Sequence, residues 1–497
     1  MISSDPFAPL LRRRRWAARR DRWLRAIARP WRPTRLAPDR QGPPNLLLVA
    51  VDTLRADIAR DPAVAPHLAR LAGEGTLFAD VTAPAPWTLP SFASALTGLA
   101  PCLHGAGMRG PVRNMAETAP ASLAPRITTL AEHLAAEGYA TAAAVANPFV
   151  GFGLQRGFHW YRYRNHDARD VAAGALDWIR SHADRPFFCF LLLNDPHEPT
   201  VPPREHLQAE LARSGLDPTT ITDTELRALA AWGDPARGVP SLGRASAGDP
   251  ALPRALALKR ALYRAAVRHV DAVIGEITDR LERWGLAGRT VMAVLSDHGE
   301  EFHEHAAVER AWDHDPRGLA GIGHGHTLFQ ELLHVPWLVR GPDIPAGVVR
   351  EEPVSLLDVA PTLCRWLEVP PLRLPADAPG WLTGRPLPRE AAAGGPAAAP
   401  RLLPSENIAY GPDLVAVREG TWKLIASRDG SRALRLSDLA GDPAEEHDHS
   451  GTSPEVRDRL LEVVRRWRQE CGEDEDGQRW EDISDRVRRQ LEELGYA

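Results

Sequence analysis

Short apolar runs alternate with longer amphipathic stretches along most of the 497-residue chain. The run NLLLVAV at 45–51 follows GPP at 42–44 and stops at Asp52, the pattern of a buried parallel strand. Ala140–Ala146, the run opening at Pro186 and ending near Asn194-Asp195, and Thr290–Leu295, which stops at Ser296-Asp297-His298, repeat it. Glu331–Arg340, with PWLVRG at its end (336–341), adds a fifth strand. Between these runs, residues 64–75, Ile127–Glu137, Val171–His182 and Leu256–Leu286 carry helical periodicity. Strands alternating with helices predict an α/β fold, a mostly parallel sheet flanked by helices. Residues 204–250 mix Pro, Gly and Ser clusters and read as an insertion, and 375–400 read as a linker or long loop. Beyond it, 414–427 and 432–439 predict antiparallel strands and 453–470 a helix. The expected division is a flexible basic tail at 1–43, a catalytic unit at 44–400 and a smaller α+β subdomain at 401–497.

Composition narrows the function classes. The chain is 44% hydrophobic and 25% charged, enough to bury a sizeable core, and its net charge of −5 does not point to nucleic acid. Lys259 and Lys423 are the only lysines. Cys102, Cys189, Cys364 and Cys471 stand far apart, with no metal spacing and no disulfide framework; Cys189 and Cys364 read as core. No apolar stretch approaches the roughly 20 residues of a transmembrane helix. The first 45 residues hold twelve arginines against Asp5, Asp21 and Asp39, and no apolar run of a signal peptide follows. The cytoplasm is the default location. The tail reads mainly as disordered. The alternative is a surface helix, with Trp16, Trp23, Leu24, Ile27 and Trp31 between arginines on anionic lipid or an acidic partner.

In open α/β sheets, ligands sit beyond the carboxyl ends of the strands. Asp52, His197 and the Asp297-His298 pair all fall there, delivered by three separate strands. Two carboxylates and an imidazole suit one divalent cation, Mn²⁺, Zn²⁺, Ca²⁺ or Mg²⁺. In APWTLPSFASALTG, 85–98, the prolines resist helix and Ser91 reads as the cap of a helix that follows, leaving Thr88 just before a helix N-terminus, where anions are favoured. Thr88 is either an ordinary turn residue or a hydroxyl nucleophile activated by a base or metal.

Several ordered motifs bear on that choice. NLLLVAVDTLRAD, APWTLPSFASALTGLAP, LNDPHEP, VMAVLSDHGEEFHEH and GHGHTLFQELLHVP resemble the sulfatase family of the alkaline phosphatase superfamily, and the likeness runs through about 44–440. The resemblance implies Asp52, Asp297, His298 and Thr88 as metal ligands and Thr88 as nucleophile. It implies His197 as a group that contacts the transferred anion or protonates the leaving group, and His324 as a second basic group of the anion pocket. His303, His305 and His326 are expected behind the ligands or at the surface.

The departures from the family pattern bear on mechanism. Formylglycine sulfatases carry C-x-P-S-R or S-x-P-S-R; here the stretch is Thr88-Leu89-Pro90-Ser91-Phe92, and Thr53 stands in place of the usual second aspartate. Neither lysine falls in a family anion-binding motif. Threonine cannot become the aldehyde whose hydrate expels sulfate by elimination. A phosphorylated threonine can be released by in-line attack at phosphorus. The sequence therefore predicts a sulfatase-like hydrolase of a sulfuric, phosphoric or phosphonic ester, with phosphoryl substrates favoured by Thr88. Its substrate would be a small molecule, a glycan or a lipid headgroup. The alternatives are a headgroup transferase to an alcohol or lipid acceptor, and a non-catalytic anion- or glycan-binding descendant of the fold. Oligomeric state is not readable.

Overall fold

A computed structural model describes residues 42–108, 112–113, 120–164, 167–389 and 401–471. The arginine-rich tail, apart from residues 42–43, and the second part of the expected linker lie outside the described residues. In chain order the elements begin with β1 (Asn45–Val51), α1 (Pro66–Gly73), β2 (Thr76–Phe78), α2 (Thr88–Thr97), α3 (Leu130–Ala136), β3 (Ala140–Val145) and β4 (Trp160–Tyr163). There follow α4 (Ala168–Ser181), β5 (Phe187–Leu193), α5 (Arg204–Arg213), α6 (Asp223–Leu229), α7 (Leu252–Arg283) and β6 (Thr290–Leu295). Then come β7 (Trp337–Arg340), β8 (Val348–Arg350) and α8 (Val359–Trp366). The last elements are β9 (Leu402–Glu406), β10 (Leu414–Glu419), β11 (Trp422–Ser427), β12 (Ala433–Asp438) and α9 (Pro454–Cys471).

The main sheet has eight strands in the order β8-β2-β7-β6-β1-β5-β3-β4. Only β7 pairs antiparallel with its neighbours, β2 and β6. The predicted mixed α/β architecture and its mostly parallel sheet are what the molecule has. β1 lies between β5 and β6, parallel to both. Its side chains alternate between two cores. Leu46, Leu48 and Ala50 meet the layer of α2, α3 and α8; Leu47, Val49 and Val51 meet that of α1, α4 and α7. Burial on both faces is why these strands read as unbroken apolar runs.

The sequence pattern missed the short or edge strands β2, β4, β8 and β9, whose periods are too brief to register. It also placed the helix at 88–97 too late. α2 starts at Thr88 with Trp87 as its N-cap, so Ser91 does not cap it. Pro90 is tolerated because first-turn N–H groups have no intrahelical acceptor to lose. The expected insertion contributes α5 and α6, whose Leu207, Leu211, Leu226 and Leu229 pack with α7.

β9–β12 form a four-stranded antiparallel sheet, with α9 on one face through Leu460, Val464 and Trp467. Cys102, just beyond α2, is joined to Cys471 of α9 by a disulfide. The two lie 369 residues apart, so no local spacing could announce the bridge. Cys189 and Cys364 are free and buried, as read from the sequence. No described helix is long and apolar enough to cross a membrane.

Phe190 of β5 meets Phe92 of α2 edge-on, ring centroids 5.7 Å apart, in the core beneath the strand ends. Phe190→Ala should cost about 3–5 kcal/mol of unfolding free energy. Urea unfolding followed by circular dichroism measures it, and a loss under 1 kcal/mol would show that the sheet–helix contact contributes little.

Candidate active site

The carboxyl ends of β1 and β6 deliver three donors to one point. Asp52, Asp297 and His298 are fully buried, and a ligand atom from each lies within 4.8 Å of the others. His298 Nε2 is 3.4 Å from Asp52 Oδ1 and 3.4 Å from Asp297 Oδ2. His298 Nδ1 is 2.9 Å from the Gly299 carbonyl, so Nδ1 holds the proton and the Nε2 lone pair faces the carboxylates. Burial pushes the His298 ring down to about 4, with Asp52 partly opposing. Asp297 is held well above the usual carboxylate range, by burial first and by Asp52 second. Asp52 Oδ1 and Asp297 Oδ2 have no hydrogen-bond partner. Two orphaned carboxylate oxygens beside an inward lone pair fit a divalent cation.

Thr88, the first residue of α2, is fully buried beside them. Its Oγ1 is 3.4 Å from His298 Nε2. Asn147, which follows β3, donates from Nδ2 to Asp52 Oδ2 at 2.8 Å and to Thr88 Oγ1 at 3.2 Å. Sequence reading missed Asn147; its place directly after a buried strand was the available signal. Ser91 Oγ donates to the Asp297 carbonyl at 2.6 Å and so fixes α2 against β6. Trp87 Nε1 donates to Asn407 O at 2.6 Å, bracing the same turn from the C-terminal unit. Thr53 has left-handed backbone, φ 60°, and its hydroxyl bonds the Asp52 carbonyl rather than joining the donors.

His197 and His324 close the site on the side of β5. Their ring centroids are 4.8 Å apart, and His324 is 4.5 Å from His298. His197 Nδ1 lies 2.7 Å from the Glu198 carbonyl, so Nδ1 holds a proton. His324 Nδ1 is 3.3 Å from each Glu300 oxygen. Burial, then the adjacent His298 and His197, hold His324 well below the usual histidine range. The expected second basic group is thus a neutral ring at neutral pH in the metal-free protein. Lys259, outside any motif, is buried with Nζ 3.0 Å from Glu198 Oε1. His305 and His326, expected behind the ligands or at the surface, are deeply buried among carboxylates, whereas His303 is only partly buried.

A sequence model of the family described as Sulfatase matches residues 44–369, the span that carries every residue of this site. The chain belongs to the sulfatase family. Among curated relatives it is 30% identical over 205 residues to arylsulfatase K of Xenopus laevis, 39% of this chain and 34% of that one. With arylsulfatase K of Homo sapiens the identity is 28% over 202 residues. These matches span about a third of the relatives' length. Among solved structures, the phosphonate monoester hydrolase of Agrobacterium radiobacter superposes with a TM-score of 0.61 at 20% identity, covering 86% of this chain and 96% of that one. A protein solved with its substrate D-glucosamine-2-N,6-O-disulfate gives 0.65 at 17% identity, covering 88% and 100%. These likenesses establish the fold. The family is one of ester hydrolases, the Agrobacterium radiobacter protein is a phosphonate monoester hydrolase, and sulfatases typically bind a divalent metal.

In EDTA-treated protein the His298 ring should titrate with a midpoint of about 4, read from its ¹⁵N shifts. Unfolded histidine takes up its proton from about pH 6.5. This ring's contribution therefore lowers stability as pH falls from there toward the folded midpoint, since the unfolded state binds the proton first. A folded midpoint near the unfolded value would contradict the dry environment assigned to His298.

Proposed function

We propose that this sulfatase-family protein hydrolyses a phosphoric or phosphonic ester through a covalent Thr88 intermediate. One observation carries the reading: the Thr88 hydroxyl sits within 3.4 Å of His298 Nε2 and 3.2 Å of Asn147 Nδ2, beside two orphaned carboxylate oxygens. Asp52, Asp297, His298 and Thr88 would hold the cation. A divalent ion bound there would lower the pKa of the threonine hydroxyl and neutralise charge on the transferred group.

The protein's own groups account for the rest. Thr88 would enter as the alkoxide that such an ion favours, its proton having passed to solvent when the ion binds, and its Oγ forms a bond to phosphorus as the bond to the ester oxygen breaks. The leaving oxygen takes a proton from His197 Nε2, the ring having entered as imidazolium. The neutral His197 then accepts a proton from the water that attacks the phosphothreonine, which releases Thr88 and phosphate or phosphonate. The Asn147 amide orients Thr88 and Asp52 together. His324, held by Glu300, adds a hydrogen-bonding group to the anion pocket. N–H groups at the start of α2 favour the negative charge.

Phosphorus is favoured over sulfur because a sulfated threonine has no second hydroxyl from which to eliminate. The same fold houses a hydrolase of phosphonate monoesters, which supports the assignment. An alcohol in place of water would give the transferase outcome.

Bis-p-nitrophenyl phosphate should be turned over faster than p-nitrophenyl sulfate by the metal-loaded protein. Faster sulfate turnover would reverse the assignment. Thr88→Ala should abolish turnover with metal content unchanged, and an unchanged rate would remove Thr88 from the nucleophile's role. Asn147→Ala should lower kcat by roughly 10²-fold, the scale of losing one preorganised donor; an unchanged kcat would leave Asn147 a structural residue only. Product analysis with added glycerol separates the transferase.

A further inference from the structure

Behind His324 lies a second cluster that plays no part in the chemistry above. Glu301, Glu309 and His326 are buried, at 0%, 2% and 1% exposure. His326 Nε2 is 3.1 Å from Glu301 Oε2 and 3.3 Å from Glu309 Oε2, and all three donors lie within 4.8 Å of one another. Bonds of about 2.1 Å from one ion to nitrogen and oxygen place neighbouring donors ~3.0–3.4 Å apart. Both separations from His326 Nε2 fall in that range.

Charge and hydrogen bonding say what the cluster lacks. Each carboxylate has one backbone donor: His305 N–H reaches Glu301 Oε1 at 3.0 Å, and Gly321 N–H reaches Glu309 Oε2 at 2.6 Å. Glu309 Oε1 is buried with no hydrogen-bond partner. Were both carboxylates ionised, they would outweigh even a protonated His326 by one negative charge, which is costly in a dry interior; without a cation a proton on Glu301 relieves this, since burial and Glu309 hold its carboxyl well above the usual range. The neighbours do not make up the difference. His305 is matched to Glu331 at 2.6 Å, and Lys423 to Glu445 at 2.9 Å.

We propose that Glu301, Glu309 and His326 form a structural site for a divalent transition-metal cation, separate from the one at Asp52, Asp297 and His298. Two carboxylate oxygens and an imidazole suit Zn²⁺ or Mn²⁺. The cation brings the cluster, with a neutral His326, to zero charge. It also acts on the active site from behind. Glu301 and Phe302 pair antiparallel with Gly323 and Ile322, so a metal at Glu301 ties the segment after His298 to the segment that carries His324.

Metal content of the full chain, loaded with zinc or manganese and desalted, tests this by plasma mass spectrometry. Wild type should hold two ions, Asp297→Asn one, Glu309→Gln one, and the double variant none. If Glu309→Gln fails to fold, calorimetric titration of zinc into EDTA-treated Asp297→Asn carries the test, with one site expected and His326→Gln as its control. A single ion in wild type that vanishes in Asp297→Asn overturns the proposal and leaves the cluster filled by protons. Titration of Asp297→Asn without binding does the same. A single ion that persists in Asp297→Asn but not in Glu309→Gln supports this site and instead removes the metal from the reading of Thr88.

Discussion

Two carboxylates face each other at the centre of this molecule, and neither reaches solvent. Asp52 and Asp297 end adjacent parallel strands, both fully buried. A buried charge without a partner costs several kcal/mol, so the fold is stable only if the pair is compensated. The surroundings do part of this. Asn147 donates to Asp52 and backbone N–H groups serve Asp297, whereas His298 turns a lone pair rather than a proton toward both and so adds to the charge that needs balancing. Every one of these partners is set by a strand end or a helix start. On α2, Ser91 bonds the Asp297 carbonyl, so Thr88 is tied to the same strand end.

The same problem recurs outward from the site and is met differently each time. Glu198 is compensated by Lys259, Glu331 by His305, and Glu445 by Lys423. Both lysines of the chain are spent on this interior seam, which runs from β5 to the C-terminal sheet. Arginine serves the interior as well as the surface: Arg350, Arg418 and Arg435 are buried, and Arg418 pairs with Asp80, a guanidinium being more weakly hydrated than an ammonium. The C-terminal unit shares in this compensation: Glu445 bonds Gln330, and Asn407 accepts from Trp87.

Much of this was legible in the sequence. Runs buried on both faces announced β1, β5 and β6, and the residues after them announced the ends that gather Asp52, His197, Asp297 and His298. Thr88 and His324 were found through ordered motifs, since neither has a local pattern of its own. Asn147 was not read, because an asparagine after a strand is also an ordinary turn residue. The clusters around Glu300 and Glu301 were hidden for a different reason. Successive residues of that loop turn to opposite sides, so adjacent glutamates serve different partners, one His324 and the other His326. The Cys102–Cys471 bridge joins positions that only the complete fold brings together.

Phe92 shows how packing limits what a position can hold. The family motif places an arginine at this position, and here the ring lies 1% exposed against Phe190, which itself stacks with Phe158. A guanidinium at residue 92 would be stranded in that aromatic nest, with no carboxylate among these three rings to receive it. An arginine at this position would need the neighbouring rings to move apart before it could reach solvent or an anion. Thr88 and Phe92 stand one turn apart on α2, so the ring that fills the core also anchors the turn that carries the hydroxyl.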